Sequence, residues 1–199
     1  MDLDFINSRS ILAKYPNVDV YNSPTTPSNP SDGSLWFDND FTNSFAGQPW
    51  VYVASLGIWL SDPVLLPIPK ITLTTSNEFQ YFPVRTYGTD DDRIYIQYFS
   101  ALVFNNSSTA HTQTNYWSLT LKGYLNTGAI ATFWDSPSNT GFNFSNPSGL
   151  PGNLPRHIGH NVNTFITGRA WSLGLDFVRN GNAPSIDASA TILFRYVKP

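Results

Sequence analysis

Alternating apolar and polar positions predict β-strands over most of the chain after residue 66. Residues 70–74 alternate strictly, and residues 93–99 with 101–104 predict one long strand or a strand with a bulge. Residues 189–197 predict a final strand. Residues 89–92, Thr-Asp-Asp-Asp, are expected to form a solvated loop between the first two strands.

A short pattern occurs twice in this region. WSLTL at residues 117–121 recurs 54 residues later as WSLGL at residues 171–175, and both copies place Trp, Leu and Leu on one strand face. Each copy is followed by a turn signal, at 126–128 and 180–182, and by a return strand. The pattern predicts two matching hairpins, which are either a true structural repeat or a coincidence of a short motif.

These strands suffice for two facing sheets, so we predict an all-β protein with a C-terminal antiparallel β-sandwich of jelly-roll type. An immunoglobulin-like or a less regular sandwich would give the same alternation. Three prolines within residues 62–69 disfavour helix and place a boundary there. We therefore assign residues 67–199 to the sandwich and residues 1–66 to an N-terminal arm and a small aromatic β module.

Two segments outside the predicted strands are candidates for contacts. Residues 1–22 mix apolar and polar positions, with one helical turn predicted at 11–14, and form an arm that docks either on its own domain or on a neighbouring subunit. Residues 135–163 are rich in Pro and Gly and predict a long loop containing Phe142 and Phe144. Such a loop is either an ordinary ordered excursion or a contact surface.

The aromatic module occupies residues 24–60. Pro24, Pro27 and Pro30 lead into DGSLWFD at 32–38, followed by PWVYV at 49–53 and GIWL at 57–60. This layout resembles a short module that recurs in structural proteins of tailed bacteriophages, especially tail and fibre proteins, in which an Asp-Gly-x-Leu-Trp-Phe-Asp segment occupies the same place. The resemblance implies a virion structural role. The same pattern is also typical of a simple hairpin with a packed tryptophan cluster.

The composition favours a protein that assembles with other subunits over one that stays a monomer. Charged residues make up 13% of the 199-residue chain, about half the usual share of soluble domains, and a surface so poor in charge is often covered by other subunits. Cysteine is absent, which excludes disulfides and thiolate sites. The net charge of −3 without a basic run argues against nucleic acid and anionic membranes as partners.

The start of the chain bears on location. Residues 1–5 carry acids where a signal peptide needs bases, and no apolar run approaches the ~20 residues that span a bilayer. We therefore expect synthesis in the cytoplasm and no membrane insertion, and the resemblance implies that this is the cytoplasm of a host and that the protein resides in the virion.

Candidate catalytic chemistry is sparse. His157 and His160 lie in a predicted loop without a nearby carboxylate, and His111 is isolated, so we expect no metal site and no cofactor. Asp176 falls on the polar face of a predicted strand and is expected to be exposed. Nucleophile elbows, phosphate loops and dinucleotide fingerprints are missing from the sequence. We therefore expect a protein that is not an enzyme.

Two functions fit these observations. The first is a fibre, tail or head-decoration subunit that binds other virion proteins, forms a homo-oligomer, most readily a trimer, and attaches to the host surface. The second is a carbohydrate-binding module whose exposed aromatic rings stack on sugars. The candidate glycan or partner contacts are the aromatic residues of the module and of the long loop: Trp36, Trp50, Tyr52, Trp59, Phe142 and Phe144.

Overall fold

The computed structural model describes residues 18–40, 47–74, 78–83, 93–107, 114–125, 128–135, 156–165 and 170–198. This part of the chain forms twelve strands and no helix, so the predicted all-β class is confirmed. The strands are β1 (Val20–Ser23), β2 (Leu35–Asp38), β3 (Pro49–Val53), β4 (Ile58–Ser61), β5 (Val64–Leu73), β6 (Glu78–Pro83), β7 (Arg93–Asn105), β8 (Tyr116–Leu125), β9 (Ile130–Asp135), β10 (Arg156–Phe165), β11 (Ala170–Asn180) and β12 (Ile186–Lys198).

The chain divides into two compact units. The first, the N-terminal unit, ends at Asp62 but also includes Tyr196–Pro199, and the second, the jelly-roll unit, holds nearly all of the chain between them. The residues Tyr196, Val197 and Lys198, here called the tail segment, therefore belong to the unit that begins the chain. The domain division at residue 66 stays a prediction, and in the structure that position lies within β5.

The N-terminal unit is built on a small mixed sheet. β1 runs parallel to β2, and β2, β3 and β4 follow as an antiparallel meander. The tail segment pairs antiparallel with the other side of β4, with Val197 opposite Leu60 and Lys198 opposite Trp59. β1 lies at the end of the predicted arm and pairs within its own chain, while the helical turn predicted at 11–14 lies outside the described residues.

The jelly-roll unit consists of two four-stranded sheets. One has the order β5-β12-β7-β10 and the other β6-β11-β8-β9. Four antiparallel pairs are nested one inside the next: β5 with β12, β6 with β11, β7 with β10, and β8 with β9. The chain of this unit, from β5 to β12, is thus one long hairpin that turns between β8 and β9 and is rolled into two sheets. This is jelly-roll order, so the predicted fold is confirmed and the immunoglobulin-like alternative is not.

The core of this unit follows from the period of two in a pleated strand. In β8, Trp117, Leu119 and Leu121 are buried, and in β12 every second residue from Ile186 to Phe194 is buried. β11 contributes Leu173, Leu175 and Phe177 to the same apolar interior. Burial of one face per strand fixes the pairing register, because a shift by one residue would expose the whole set.

The two WSxL segments do not begin two matching hairpins. β8 and β9 form the first hairpin, with Tyr124 opposite Ile130. β11 and β12, however, lie in different sheets, so the second predicted hairpin is wrong. The connection continues past the turn at 180–182 to residue 185, and the indole of Trp117 donates a 2.8 Å hydrogen bond to the carbonyl oxygen of Pro184. The two segments instead pair with each other, with Leu121 opposite Leu175.

The long loop predicted at 135–163 is shorter in the structure. β10 begins at Arg156 and pairs with β7 over most of its length. The sequence pattern missed this strand because glycine, histidine and asparagine interrupt the apolar alternation of RHIGHNVNTF. A bulge near Asn163, whose φ is +47°, breaks the period further.

We predict that replacing Gly181 with alanine destabilises the jelly-roll unit more than replacing Gly128. Both glycines have left-handed φ, +59° and +80°. A Cβ at Gly181 would collide with the carbonyl oxygen of Thr114 and with Asn115 Oδ1, whereas one at Gly128 meets nothing within 4 Å. Asn115 Oδ1 is already held by the N–H of Asn182 at 2.7 Å, so it cannot easily move.

The expected loss of unfolding free energy is about 1 kcal/mol for Gly128→Ala, from the left-handed backbone alone. For Gly181→Ala it is about 2–4 kcal/mol, because overpacking adds to the backbone term. Urea unfolding followed by circular dichroism measures both values. Equal losses in the two variants would contradict this account of the β11–β12 turn.

Candidate functional site

The Asp-Gly turn of the aromatic module fixes where β2 and β3 meet. Asp32 Oδ1 accepts a 2.8 Å hydrogen bond from the N–H of Ala54, just beyond β3. The N–H of Gly33 donates to the carbonyl oxygen of Tyr52 at 2.9 Å, and the N–H of Tyr52 donates to the carbonyl oxygen of Ser34 at 2.9 Å. Gly33 has a φ of +80°, which glycine adopts without strain. Both residues of the turn are therefore needed by the backbone.

Trp36, Trp50 and Trp59 form what we call the tryptophan cluster. Trp36 lies directly opposite Trp50 across β2 and β3, with ring centroids 6.1 Å apart in a stacked arrangement. Trp59 meets Trp36 edge-on at 5.6 Å and Tyr52 at 5.2 Å. The three indoles are 0–1% exposed. Aromatic pairs at these separations add to the stabilisation from area burial.

The tail segment places the ammonium group of Lys198 on the same face of the sheet as the tryptophan cluster. Lys198 Nζ lies 2.5 Å from Asp38 Oδ2, and the Asp38 side chain is completely buried. The ammonium also lies 5.0 Å from the ring centroid of Trp36 and 5.2 Å from that of Trp50, within cation–π range. Asp38 Oδ1 accepts a 3.0 Å hydrogen bond from the N–H of Asp40. A cation and a backbone donor are thus among the groups that hold the buried carboxylate.

A second anchor holds the backbone of the tail segment. The N–H of Tyr196 donates a 2.9 Å hydrogen bond to Ser61 Oγ, which in turn donates to the carbonyl oxygen of Asp62 at 2.8 Å. Ser61 is itself fully buried at the end of β4. Together with the two strand pairs on β4, these contacts fix the position and direction of the segment.

The structure changes the interpretation of the predicted contact residues. Trp36, Trp50 and Trp59 are core residues, because their rings are covered by one another and by Lys198, so their faces are not free to stack on a sugar. Tyr52 is partly exposed, and its role as a glycan or partner contact stays a prediction. Phe142 and Phe144 lie outside the described residues. Lys198 was not predicted, because it comes from 160 residues beyond Asp38 and carries no local signal.

Asp176 corrects a second expectation, that this carboxylate is exposed. Its side chain is 4% exposed, and its Oδ2 lies 2.5 Å from Lys122 Nζ. In register Asp176 faces Thr120 on β8, and Lys122 is the diagonal neighbour on the same face. Thr120 and Gly174 beside it are buried as well, so this face of the sheet is covered around the ion pair. The local sequence pattern shows that residue 176 is polar, but it does not show that this face of the sheet is buried.

The histidines do not assemble a metal centre in the part of the chain that the structure describes. His157 Nε2 lies 2.7 Å from Ser100 Oγ at the surface of the β7–β10 pair, and His160 follows on the same strand. No group of three or more His, Cys, Asp or Glu within the described ranges could hold a metal ion. His111 lies outside those ranges. A search of the same residues for a helix long and apolar enough to cross a bilayer finds none.

A polar network ties β5 to β12. Asp187 accepts hydrogen bonds from Thr72 Oγ1 at 2.6 Å and Asn106 Nδ2 at 3.1 Å, and its Oδ2 lies 2.8 Å from Lys70 Nζ. The hydrogen bond from Lys70, followed by that from Thr72, holds the pKa of Asp187 below its ordinary value, although burial acts in the opposite direction. The carboxylate is saturated by its own chain, so its role is structural.

Comparisons with known proteins give weak likenesses. No protein-family model matches the chain, and no curated protein matches its sequence. One similar solved structure is described as the triple jelly roll fold and turret assembly in an archaeal virus, with a TM-score of 0.37 and 12% identity over 70% of this chain and 30% of that one. Another is from infectious bursal disease virus Gx strain, with a TM-score of 0.38 and 15% identity over 69% and 32%. The chain spans about a third of the length of these proteins.

We predict that Trp50→Ala lowers the unfolding free energy of the N-terminal unit by about 3–5 kcal/mol, because it leaves a large cavity in a closed cluster. Leu56→Ala is the control, since Leu56 lies in the β3–β4 turn and is 43% exposed, so a loss within about 0.5 kcal/mol is expected. Denaturant unfolding followed by tryptophan fluorescence provides the comparison. A Trp50→Ala protein as stable as Leu56→Ala would argue that the indole is not a core residue.

We predict that the stability lost in Asp187→Asn depends on pH. Because the folded pKa of Asp187 lies below its ordinary value of 3.8, the carboxylate stabilises the fold above that pH. This contribution disappears as the pH falls through the lower, folded pKa. The difference in melting temperature between wild type and Asp187→Asn should therefore be constant at neutral pH and shrink below about pH 4.

Thr72→Val removes a smaller contributor to the same shift and should give a curve of the same sign and smaller amplitude. Thermal unfolding of the three proteins between pH 2 and pH 7 checks the prediction. A difference that stays constant down to pH 2 would contradict the assigned network.

Proposed function

We propose that this protein is a non-enzymatic structural subunit of a virion, of the kind found in tails, fibres or head decorations of tailed bacteriophages. In this proposal the N-terminal unit serves attachment, and the jelly-roll unit assembles with neighbouring subunits or projects outward. The observation that carries the proposal is the Asp-Gly-x-Leu-Trp-Phe-Asp segment. It resembles a phage tail module, and in this chain its turn, tryptophan and final aspartate are all used in packing rather than in chemistry.

The jelly-roll order supports this proposal without proving it. Jelly rolls recur in viral capsid proteins, but also in lectins and cupins, so the fold alone does not assign a function. Two of the described ion pairs, Asp38 with Lys198 and Asp176 with Lys122, have a buried carboxylate, whereas the third joins Asp187 to an exposed Lys70. The two buried pairs take charge away from a surface that has little of it. A surface with so little charge is suited to burial against other subunits.

The alternative of a carbohydrate-binding module has weaker support. Three of its four best candidates in the aromatic module, the tryptophans, are buried. Recognition of a host-surface glycan stays within the proposal only through Tyr52 and the two loop phenylalanines, Phe142 and Phe144. It would be an added property of an assembled subunit rather than its main function.

We predict that the purified protein forms a closed oligomer, with a trimer favoured, because low-charge faces are best buried around a symmetry axis. Light scattering after size exclusion measures the mass, which should be three times the chain mass of 22.2 kDa for a trimer. A mass of one chain at all concentrations would contradict self-assembly and would leave attachment only through other virion proteins.

A truncated chain serves as the companion test for the arm. Because β1 belongs to the N-terminal unit, the deletion is limited to residues 1–17, which leaves Val20 and the sheet intact. We expect the truncated chain to keep its circular dichroism spectrum and melting temperature but to assemble or attach more weakly. Unfolding or aggregation of the deletion variant would contradict a role of the arm confined to attachment.

A further inference from the structure

The tail segment is bound by the N-terminal unit as a peptide ligand would be. Its backbone adds a strand to the edge of β4, through the pairs Val197–Leu60 and Lys198–Trp59. Its first N–H is capped by Ser61 Oγ at 2.9 Å. Strand addition of this type takes its affinity from main-chain hydrogen bonds and its specificity from pockets for individual side chains.

The specificity pocket in this case is built for an ammonium group. Its floor is Asp38, whose side chain has no exposure and whose carboxylate forms an ion pair with the Lys198 ammonium. Its walls are the indole rings of Trp36 and Trp50, both within 5.2 Å of the Lys198 ammonium. A primary ammonium is a compact point charge on a flexible stem, so it can contact the Asp38 carboxylate and lie over both rings at once.

The pocket lies on the face of the sheet that the Lys198 side chain occupies when its backbone pairs with β4. Lys198 is directly opposite Trp59 on β4, and its ammonium meets the carboxylate of Asp38 at the end of β2. The chain that carries the ligand is connected to the pocket only through the whole length of the jelly-roll unit, since 160 residues separate Asp38 from Lys198. The pocket and its ligand are therefore separate parts in sequence that meet only in the fold.

We propose that the edge of β4 and the Asp38–Trp36–Trp50 pocket form a strand-acceptor site that is selective for an extended segment carrying a lysine. The occupant is this chain's Tyr-Val-Lys segment, bound in cis in the structure, and the same segment of a second copy binds in trans when the cis segment is absent. This inference does not rest on the proposed virion function, because it depends only on contacts within the N-terminal unit. It identifies a binding site whose ligand class is a primary ammonium presented on a β-strand.

The test supplies the segment in trans. A chain ending at Arg195 is mixed with a fluorescently labelled peptide covering residues 194–199, and binding is followed by fluorescence anisotropy. The matched control is the same peptide with methionine at the position of Lys198, which keeps the stem and removes the charge. We expect saturable binding of the lysine peptide and about 30-fold weaker binding of the methionine peptide, as expected for breaking a largely buried ion pair.

Asp38→Asn in the shortened chain completes the cycle. If the ammonium is recognised by the carboxylate, this variant should bind both peptides with similar affinity, because the partner of the charge is gone. Equal binding of the two peptides to the unsubstituted shortened chain, or a 30-fold preference that survives Asp38→Asn, would overturn the proposal. Circular dichroism of each protein checks that the fold is retained.

The 199-residue chain gives a second route should the shortened chain fail to fold. Lys198→Ala keeps all 199 residues but weakens the cis segment, so the labelled lysine peptide should compete for the site. Wild-type protein should bind the same peptide at least 30-fold more weakly, since its own tail segment occupies the pocket. Failure of Lys198→Ala to bind the peptide better than wild type would overturn the proposal as well.

Discussion

The buried carboxylate of Asp38 is the constraint around which the N-terminal unit is organised. A charged group without exposure costs several kcal/mol of lost hydration and persists only with a cation and hydrogen-bond donors around it. The backbone of Asp40 supplies one donor, and the cation is Lys198, from the far end of the described chain. The two rings that flank the ammonium, Trp36 and Trp50, are themselves the centre of the apolar cluster. The packing of the module therefore depends on an ion pair whose lysine is the last residue of β12.

From the jelly-roll order we expect the completion of β12 to come late in folding. The outermost pair, β5 with β12, joins residues more than a hundred positions apart, as in the hydrogen bond between Thr72 and Asp187. Pairings of such sequence separation close large loops, which is why folds dominated by them form slowly. The tail segment is the end of β12, so the ligand of the N-terminal unit is carried by the strand that closes the jelly roll.

Local pattern predicted the fold where burial alternates cleanly and failed where the environment is set by distant chain. β12 alternates buried and partly exposed residues from Ile186 to Phe194, and β8 and β11 place their large apolar residues at every second position, so the two-residue period revealed these strands. β10 was missed because its polar and glycine residues lie at the end of the strand order among the described residues, where alternation is less strictly enforced. The connection after β11 contains the same turn residues as a hairpin, yet it crosses between sheets. The choice depends on residues 183–185 and on the anchor at Trp117, not on the turn itself.

The candidate site shows the same division between local and distant causes. The aromatic module could be recognised in the sequence because its residues contact one another and lie close together along the chain. The sequence could not show whether the rings pack inward or face a ligand. The register decides the matter: Trp36, Trp50, Trp59 and Asp38 share a face with the tail segment, and that face is buried. A motif that satisfies packing in this way reports what a fold requires, and it can recur wherever the fold is used. What distinguishes one such protein from another must then lie in the strand edges and exposed residues that the motif leaves unused.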